Sequence, residues 1–126
     1  MNPILKKMMF KGQSPVLALG APKEFAGTAK EFGVPVHSAP KAHYGFAVAF
    51  ARTLEEAVSM AKVVGDALDA DGIFWLAYPK GTSKKYKAAD INRDTCHARM
   101  VKHGFDGVSL VAIDEDWSAM RFKRSG

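Results

Sequence analysis

The sequence predicts a single α/β domain of three layers, with helices on both faces of a mostly parallel sheet that ends in an antiparallel hairpin. Two unbroken apolar runs, residues 46–51 and 72–78, have the length and composition of strands buried on both faces. A helical pattern separates them. Two further strand patterns, residues 108–113 and 117–123, are joined by three polar residues, and so short a link permits only antiparallel pairing.

Local signals support the ends of individual elements. Asn2 followed by Pro3 combines an N-cap residue with proline at the first helical position. Thr53 and Glu56 have the spacing of a capping box, which begins the longest helix. Pro35 places its strand at a sheet edge, because proline cannot donate to a hydrogen-bond ladder. In chain order the predicted elements are helix 3–9, strand 16–19, helix 22–32, strand 34–37, strand 46–51, helix 54–69, strand 72–78, helix 92–102, strand 108–113 and strand 117–123.

The composition fits one domain over residues 1–126. Hydrophobic residues make up 48% of the 126 positions, which is enough for one core. No apolar run approaches the roughly 20 residues of a membrane helix, and we expect neither a secretory signal nor association with a membrane. The single cysteine, Cys96, excludes an internal disulfide and fits a reducing cytoplasm. The sequence leaves the oligomeric state open.

Positive charge is concentrated in residues 80–102, which we call the cationic segment. It holds seven lysines and arginines and two aspartates, so its net charge of +5 equals that of the whole chain. Such a field attracts phosphate groups or nucleic acid. The alternative, a solvated loop and helix face, is favoured because charge runs usually have that role. Tyr86 is the only aromatic residue in the segment, so base stacking on a single strand has little support.

Two motifs resemble a family of small bacterial proteins that has no established activity. One is Gly-x-x-Trp-x-x-x-Pro-Lys at residues 72–80, and the other is Asp-x-x-Trp-Ser at residues 114–118. The resemblance covers about residues 20–123. It implies a fold and does not imply a reaction.

Residues 46–124 also resemble, more distantly, the later half of Rossmann-like methyltransferases, which end in the same strand, helix and hairpin arrangement. This resemblance implies a Rossmann-like domain in which strand 117–123 is inserted between strands 72–78 and 108–113. The alternation of apolar and basic residues in strand 117–123 would also suit a sheet edge. We predict the inserted position.

The cofactor-binding devices of such enzymes are missing from the corresponding positions. Rossmann-like methyltransferases place a glycine-rich turn after the first strand and an acidic residue, which holds the ribose, after the second strand. Here the first turn, residues 20–23, contains Gly20 as its one glycine, and residues 36–38 read Val-His-Ser without a carboxylate. We therefore predict no cofactor, and in particular no tight binding of S-adenosylmethionine or NAD.

The crevice at the carboxyl ends of the parallel strands is the default binding site in such a sheet. N–H groups at helix starts and nearby lysines can hold an anion there. Residues 80–83 do not form a Walker loop, because its spaced glycine and its terminal Gly-Lys-Ser/Thr are absent. The candidate ligand-binding residues, which follow the first, third and fourth strands, are Gly20, Lys23, Arg52, Thr53, Lys80, Gly81, Thr82 and Ser83.

No catalytic or metal-binding residue is predicted. Cys96 and His97 are adjacent in a helix, so their side chains point apart, and the four histidines include no closely spaced ligand pair. Cys96 is instead expected to be buried. Nothing in the chain resembles a nucleophile elbow. Trp75 and Trp117 are expected in the core, although Trp117 would also suit an exposed interface.

Two classes of function are compatible with these patterns. The first is a non-catalytic module that engages an anionic ligand or a protein partner through residues 80–87 and the C-terminal hairpin. The second is a small enzyme that acts on a phosphorylated or carboxylated metabolite in the crevice. The missing cofactor signature and the missing nucleophile favour the non-catalytic module.

Overall fold

The computed structural model describes residues 2–87 and 90–125. Residues 1 and 126, the ends of the predicted domain, and residues 88 and 89, in the cationic segment, lie outside this description. The helices are α1 Pro3–Lys7, α2 Ala26–Lys30, α3 Leu54–Ala67 and α4 Arg93–Val101. The strands are β1 Val16–Leu19, β2 Val36–His37, β3 Tyr44–Phe50, β4 Leu68–Pro79, β5 Phe105–Ala112 and β6 Trp117–Arg124.

The described strands form one mixed sheet in the order β2-β1-β3-β4-β6-β5. The first four strands of the chain run parallel to one another, and β6 runs antiparallel to both β4 and β5. The predicted mostly parallel sheet with a C-terminal antiparallel hairpin is therefore confirmed. The inserted position of β6 is also confirmed, and so is the edge position of β2, the strand that follows Pro35.

Two apolar clusters cover the two faces of the sheet, which confirms the three layers. One cluster includes Ala61 of α3 and Met100 of α4. The other includes Leu5 of α1 and Phe25, with Ala29 of α2 packed against it. Because α2 and α3 lie on opposite faces, the chain changes face between β1 and β3. That change of face determines where the sheet leaves an open crevice.

The predicted helix 22–32 is shorter than expected. Its first turn, Lys23–Phe25, is a 3₁₀ turn, and the α-helical part that follows has five residues. Gly27 and Thr28 both have low helix propensity, so local preference gives little support to a longer helix. The short 3₁₀ turn directs the chain away from the carboxyl end of β1.

The capping predictions are confirmed in part. The hydroxyl of Thr53 accepts the N–H of Glu56 at 3.1 Å and so caps α3. The Glu56 carboxylate accepts the N–H of Arg52 at 2.9 Å, whereas a capping box would direct it to the N–H of Thr53. A complete capping box, formed by Asn92 and Thr95, begins α4 instead.

Trp75 is buried in the middle of the sheet, as predicted. Only 1% of its surface is exposed, and its indole Nε1 donates to the carbonyl of Met8 at 2.9 Å. This bond ties the segment after α1 to β4. Within residues 2–87 and 90–125, no helix combines the length and the apolar character that crossing a bilayer requires.

Candidate functional site

The crevice lies over the carboxyl ends of β1 and β3, the neighbouring strands between which the chain changes face. Gly20 follows β1 with a φ angle of +63°, in the left-handed region that favours glycine. A Cβ atom at this position would lie 2.9 Å from Cε of Met60 and 3.0 Å from the carbonyl oxygen of Phe50. Any larger residue would therefore press against the backbone of β3.

The crevice is covered by the Tyr86 segment, residues 83–86, which crosses from the β4–β6 side towards β1. The Tyr86 hydroxyl lies 2.6 Å from Oε2 and 2.9 Å from Oε1 of Glu24, which follows β1. The ring of Tyr86 packs on Trp117, with 5.0 Å between ring centroids. The guanidinium carbon of Arg52, after β3, lies 5.0 Å from the same Tyr86 ring. The Tyr86 side chain thus contacts residues at the ends of β1 and β3 and at the start of β6.

Ser83 and Asp116 hold the base of the Tyr86 segment. The Ser83 hydroxyl donates to Oδ1 of Asp116 at 2.7 Å and accepts the N–H groups of Lys85 and Tyr86 at 3.3 and 3.0 Å. The N–H of Lys80 donates to the carbonyl of Asp116 at 2.8 Å. The segment therefore starts from a fixed turn at the end of β4, and Tyr86 extends from that turn over the crevice.

Glu24 has the most strongly shifted carboxyl group near the crevice. The hydrogen bond from Tyr86 is the largest cause, with Lys85 also contributing, and together they lower the pKa of Glu24 to about 2. The Lys85 ammonium lies 3.2 Å from Oε1 of Glu24. The same contacts raise the pKa of Lys85 and the pKa of Tyr86. Glu24 therefore stays ionised at neutral pH and accepts hydrogen bonds.

Trp117 lies beneath Tyr86 and is a core residue, as the first of the two alternatives predicted. It is 1% exposed, and its ring meets that of Phe50 edge to face with centroids 5.2 Å apart. Its indole Nε1 is buried and has no hydrogen-bond partner among the described residues. A buried donor of this kind is rare and costs free energy unless a ligand or water satisfies it.

A second cavity of about 650 Å³, the Lys80 cavity, opens beside the end of β4 and the start of α4. Burial raises the pKa of Tyr78 in its wall to about 12, so the phenol is a hydrogen-bond donor at neutral pH rather than a base. Arg93 contributes a second cation to the wall. The lining residues are Tyr78, Pro79, Lys80, Gly81, Thr82, Asp90, Ile91, Asn92, Arg93, Asp94, Leu110 and Ser118.

The eight predicted ligand-binding residues fall into separate places. Three of them, Lys80, Gly81 and Thr82, line the Lys80 cavity. Gly20 and Arg52 border the crevice under or beside the Tyr86 segment. The remaining three are Lys23, exposed in the 3₁₀ turn, Thr53, which caps α3, and Ser83, whose hydroxyl holds the Tyr86 segment.

Sequence reasoning missed Glu24 and Tyr86, which make the closest polar contact over the crevice. They are 62 positions apart, and neither belongs to a motif. The relevant signal was composition: a carboxylate soon after the first strand and a lone aromatic residue in a basic loop. Pairing those two features requires the sheet order, which places the ends of β1, β3 and β4 side by side.

Cys96 is buried in the cluster between α4 and the sheet, as predicted. Burial raises the pKa of its thiol to about 12. In the part of the chain that the structure describes, no three His, Cys, Asp or Glu side chains lie close enough together to hold a metal ion. The ring of His37 instead contacts the Tyr44 hydroxyl at 2.7 Å.

The chain matches no protein-family model, and no curated protein shows significant sequence similarity to it. Solved structures do match its fold. The CcbJ methyltransferase from Streptomyces caelestis has a TM-score of 0.69 at 9% identity, with 98% of this chain and 90% of that chain covered. The N-methyltransferase NodS from Bradyrhizobium japonicum WM9 has a TM-score of 0.60 at 10% identity, with 99% and 98% covered.

A third match carries a ligand. The magnesium protoporphyrin IX methyltransferase ChlM from Synechocystis PCC 6803, solved with bound SAH, has a TM-score of 0.57 at 12% identity, with 87% of this chain and 73% of that chain covered. At these identities the likeness establishes a fold. The chain therefore has the Rossmann-like methyltransferase fold, as the distant resemblance implied.

The prediction of a non-catalytic binding module is wrong in light of these matches. Structures of several methyltransferases, which are enzymes, match over most of both chains. The prediction depended on the absence of a local cofactor signature and of an activated nucleophile. The absence of a motif does not exclude binding by side chains outside that motif, and Glu24 is one such side chain.

Proposed function

We propose that this chain is an S-adenosylmethionine-dependent methyltransferase. The observation that carries the proposal is the fold, which matches methyltransferase structures over 97–99% of this chain in the longest alignments. Bound S-adenosylmethionine supplies an electrophilic methyl group. The protein contributes binding, orientation and the exclusion of water.

The residues around the crevice fit an adenosyl group. Gly20 allows the backbone of the first turn to lie close to β3. Glu24 provides an ionised carboxylate of the kind that accepts ribose hydroxyls in this class of fold, although it follows the first strand rather than the second. Trp117, buried beneath Tyr86, carries a donor without a partner among the described residues.

We further propose that the acceptor substrate binds in the Lys80 cavity. Its wall adjoins the end of β4, the strand next to β3, so a molecule in the cavity lies near the crevice. The wall also holds Asp90 and Asp94, and Arg93 Nε lies 3.5 Å from Oδ1 of Asp94. Lys80 can pair with a carboxylate or a phosphate, and Thr82 and Tyr78 can donate hydrogen bonds. Lys80 is therefore the residue of this wall that favours an acceptor with an anionic group.

Calorimetric titration with S-adenosylmethionine and with S-adenosylhomocysteine tests the cofactor assignment, with NAD as the control ligand. We expect saturable binding of both adenosyl ligands and none of NAD. The dissociation constant should be higher than about 1 μM, which corresponds to a binding free energy of about −8 kcal/mol, because the glycine-rich turn and the usual acidic residue are both missing. Glu24→Gln should weaken binding of the adenosyl ligands, since it removes the charged acceptor.

A second measurement tests the chemistry. The protein is incubated with S-adenosylmethionine labelled in its methyl group and a set of carboxylated and phosphorylated metabolites, and transfer of label is followed. Label in one acceptor, lost in Glu24→Gln, supports the proposal. Absence of adenosyl-ligand binding, even at ligand concentrations near about 1 mM, would overturn it.

A further inference from the structure

Tyr86 makes the contacts that an adenosyl group would need in the crevice. Its ring centroid lies 5.0 Å from that of Trp117 at an interplanar angle of 54°, and the guanidinium of Arg52 lies over the same Tyr86 ring. Its hydroxyl is within hydrogen-bond distance of both carboxylate oxygens of Glu24. Aromatic bases stack on such surfaces, and ribose hydroxyls donate to carboxylates as a phenol does.

We infer that Tyr86 is an internal occupant of the crevice, which an adenosyl ligand must displace before it binds. This inference rests on the proposed function and adds that the Tyr86 side chain competes with the adenosyl group for the same place. The closed arrangement in the structure is then the resting form. The open form, with Tyr86 withdrawn, exposes the Trp117 ring and frees Glu24 to accept from the ligand.

The contacts of Tyr86 suit reversible closure. The Tyr86 side chain is half-buried, and its partner Glu24 keeps 25% of its side-chain surface exposed. Lys85, which also reaches Glu24, is 58% exposed, and ion pairs between exposed groups contribute little to stability. The Ser83 hydroxyl, which donates to Asp116, holds the backbone N–H groups of Lys85 and Tyr86, so opening moves only their side chains. Tyr86 and Lys85 can therefore leave Glu24 while the turn at Ser83 stays in place.

Displacement has a measurable cost in affinity. When only a fraction of the molecules is open, the apparent dissociation constant equals the intrinsic constant divided by that fraction. If about one molecule in ten is open, removing the competitor strengthens binding about tenfold. A variant that cannot close should therefore bind S-adenosylhomocysteine more tightly than the wild type, although it has lost a side chain near the site.

The experiment compares S-adenosylhomocysteine affinities of the wild type, Tyr86→Ala, Tyr86→Phe and Lys84→Ala by calorimetry. Tyr86→Ala removes both the ring and the hydroxyl, so we expect affinity about tenfold higher than that of the wild type. Tyr86→Phe keeps the ring on Trp117 and loses the bond to Glu24, so a smaller gain is expected. Lys84, exposed in the same loop, is the matched control, and Lys84→Ala should bind like the wild type.

The outcomes separate this inference from the proposed function. If the wild type binds and Tyr86→Ala and Tyr86→Phe bind equally well or more weakly, the inference that Tyr86 competes with the ligand is overturned. The methyltransferase proposal is then unaffected. No binding by any variant overturns both. If Tyr86→Ala fails to fold, Tyr86→Phe decides the question, because it retains the half-buried ring: a gain over Lys84→Ala supports displacement, and no gain overturns it.

Discussion

The Tyr86 hydroxyl lies 2.6 Å from Oε2 of Glu24, across 62 positions of the chain. This contact joins the turn after β1 to the loop after β4, above the strand that separates them in the sheet. It also explains why the crevice is closed in a fold whose ligands usually bind at the change of face between strands. The stability of the protein in acid and its affinity for adenosyl ligands should both depend on this contact.

Stability should depend on the ionisation of Glu24 in acid. Its pKa of about 2 is below the ordinary value of 4.5. The stability that ionised Glu24 contributes is therefore fully present above about pH 4.5 and is lost as the pH falls towards 2. We expect the wild type to unfold at higher urea than Glu24→Gln at neutral pH. The difference between their urea midpoints should narrow as the pH falls through that window.

The comparison isolates Glu24 because every other carboxylate, including Asp116 beneath Ser83, is present in both proteins. The remaining charged groups that face Glu24 and Tyr86 are Lys85 and Arg52, and both remain cationic throughout the acid range. A difference in midpoint that is constant from neutral pH to about pH 3 would show that the Tyr86 contact does not hold Glu24 ionised in solution.

Trp75 should be a major contributor to stability. It is 1% exposed in β4 and donates to the Met8 carbonyl, so Trp75→Ala should lower the free energy of unfolding by about 3–5 kcal/mol. Trp75→Phe keeps a ring in the core and loses the hydrogen bond, so its loss should be smaller. Urea titrations of the three proteins measure both effects. A loss below about 1 kcal/mol for Trp75→Ala would contradict the prediction.

The fold was predictable because its signals are local. The apolar run at residues 72–78 and the short hairpin link define strands without reference to distant residues. Those patterns also limit the number of arrangements that bury every apolar face. Helix 22–32 was predicted too long because Phe25, Ala29 and Phe32 have helical spacing, whereas Gly27 and Thr28 weaken the helix.

The site was less predictable because its contacts are not local. Three of the candidate residues, Lys80, Gly81 and Thr82, share a strand end and share a cavity. Glu24 and Tyr86 meet only because β1, β3 and β4 lie side by side. No spacing rule connects two such positions, so the carboxylate was sought after the second strand and was not found there. The Tyr86 loop was interpreted through its charge, and Tyr86 was considered only as a residue for base stacking.

Cys96 should be almost unreactive in the folded protein. Burial raises the pKa of its thiol to about 12, and the thiolate is the reactive form. A disulfide reagent at about pH 8 should therefore modify the native protein far more slowly than a free thiol with a pKa of about 8.5. Unfolding in urea should restore the ordinary rate. A native rate equal to the unfolded rate would mean that Cys96 is accessible in solution.

Lys80 should provide most of any anion binding at the Lys80 cavity. It lies directly after β4 and lines the cavity, and its N–H donates to the carbonyl of Asp116, so its backbone is fixed at the cavity wall. Lys80→Met keeps the apolar stem and removes the charge, which separates electrostatics from packing. Lys84→Met, exposed in the same loop, is the control for the general positive field.

Binding of inorganic phosphate and of a short single-stranded oligonucleotide is measured at about 0.01 M and about 0.15 M salt, where the screening lengths are about 30 Å and about 8 Å. We expect phosphate binding that weakens with salt and is largely lost in Lys80→Met but retained in Lys84→Met. Oligonucleotide binding that both variants reduce equally would indicate the general field of the cationic segment instead. Binding that is indifferent to salt and to Lys80, or no binding at all, would mean that residues 80–87 are solvated surface, and the acceptor would then have to bind elsewhere.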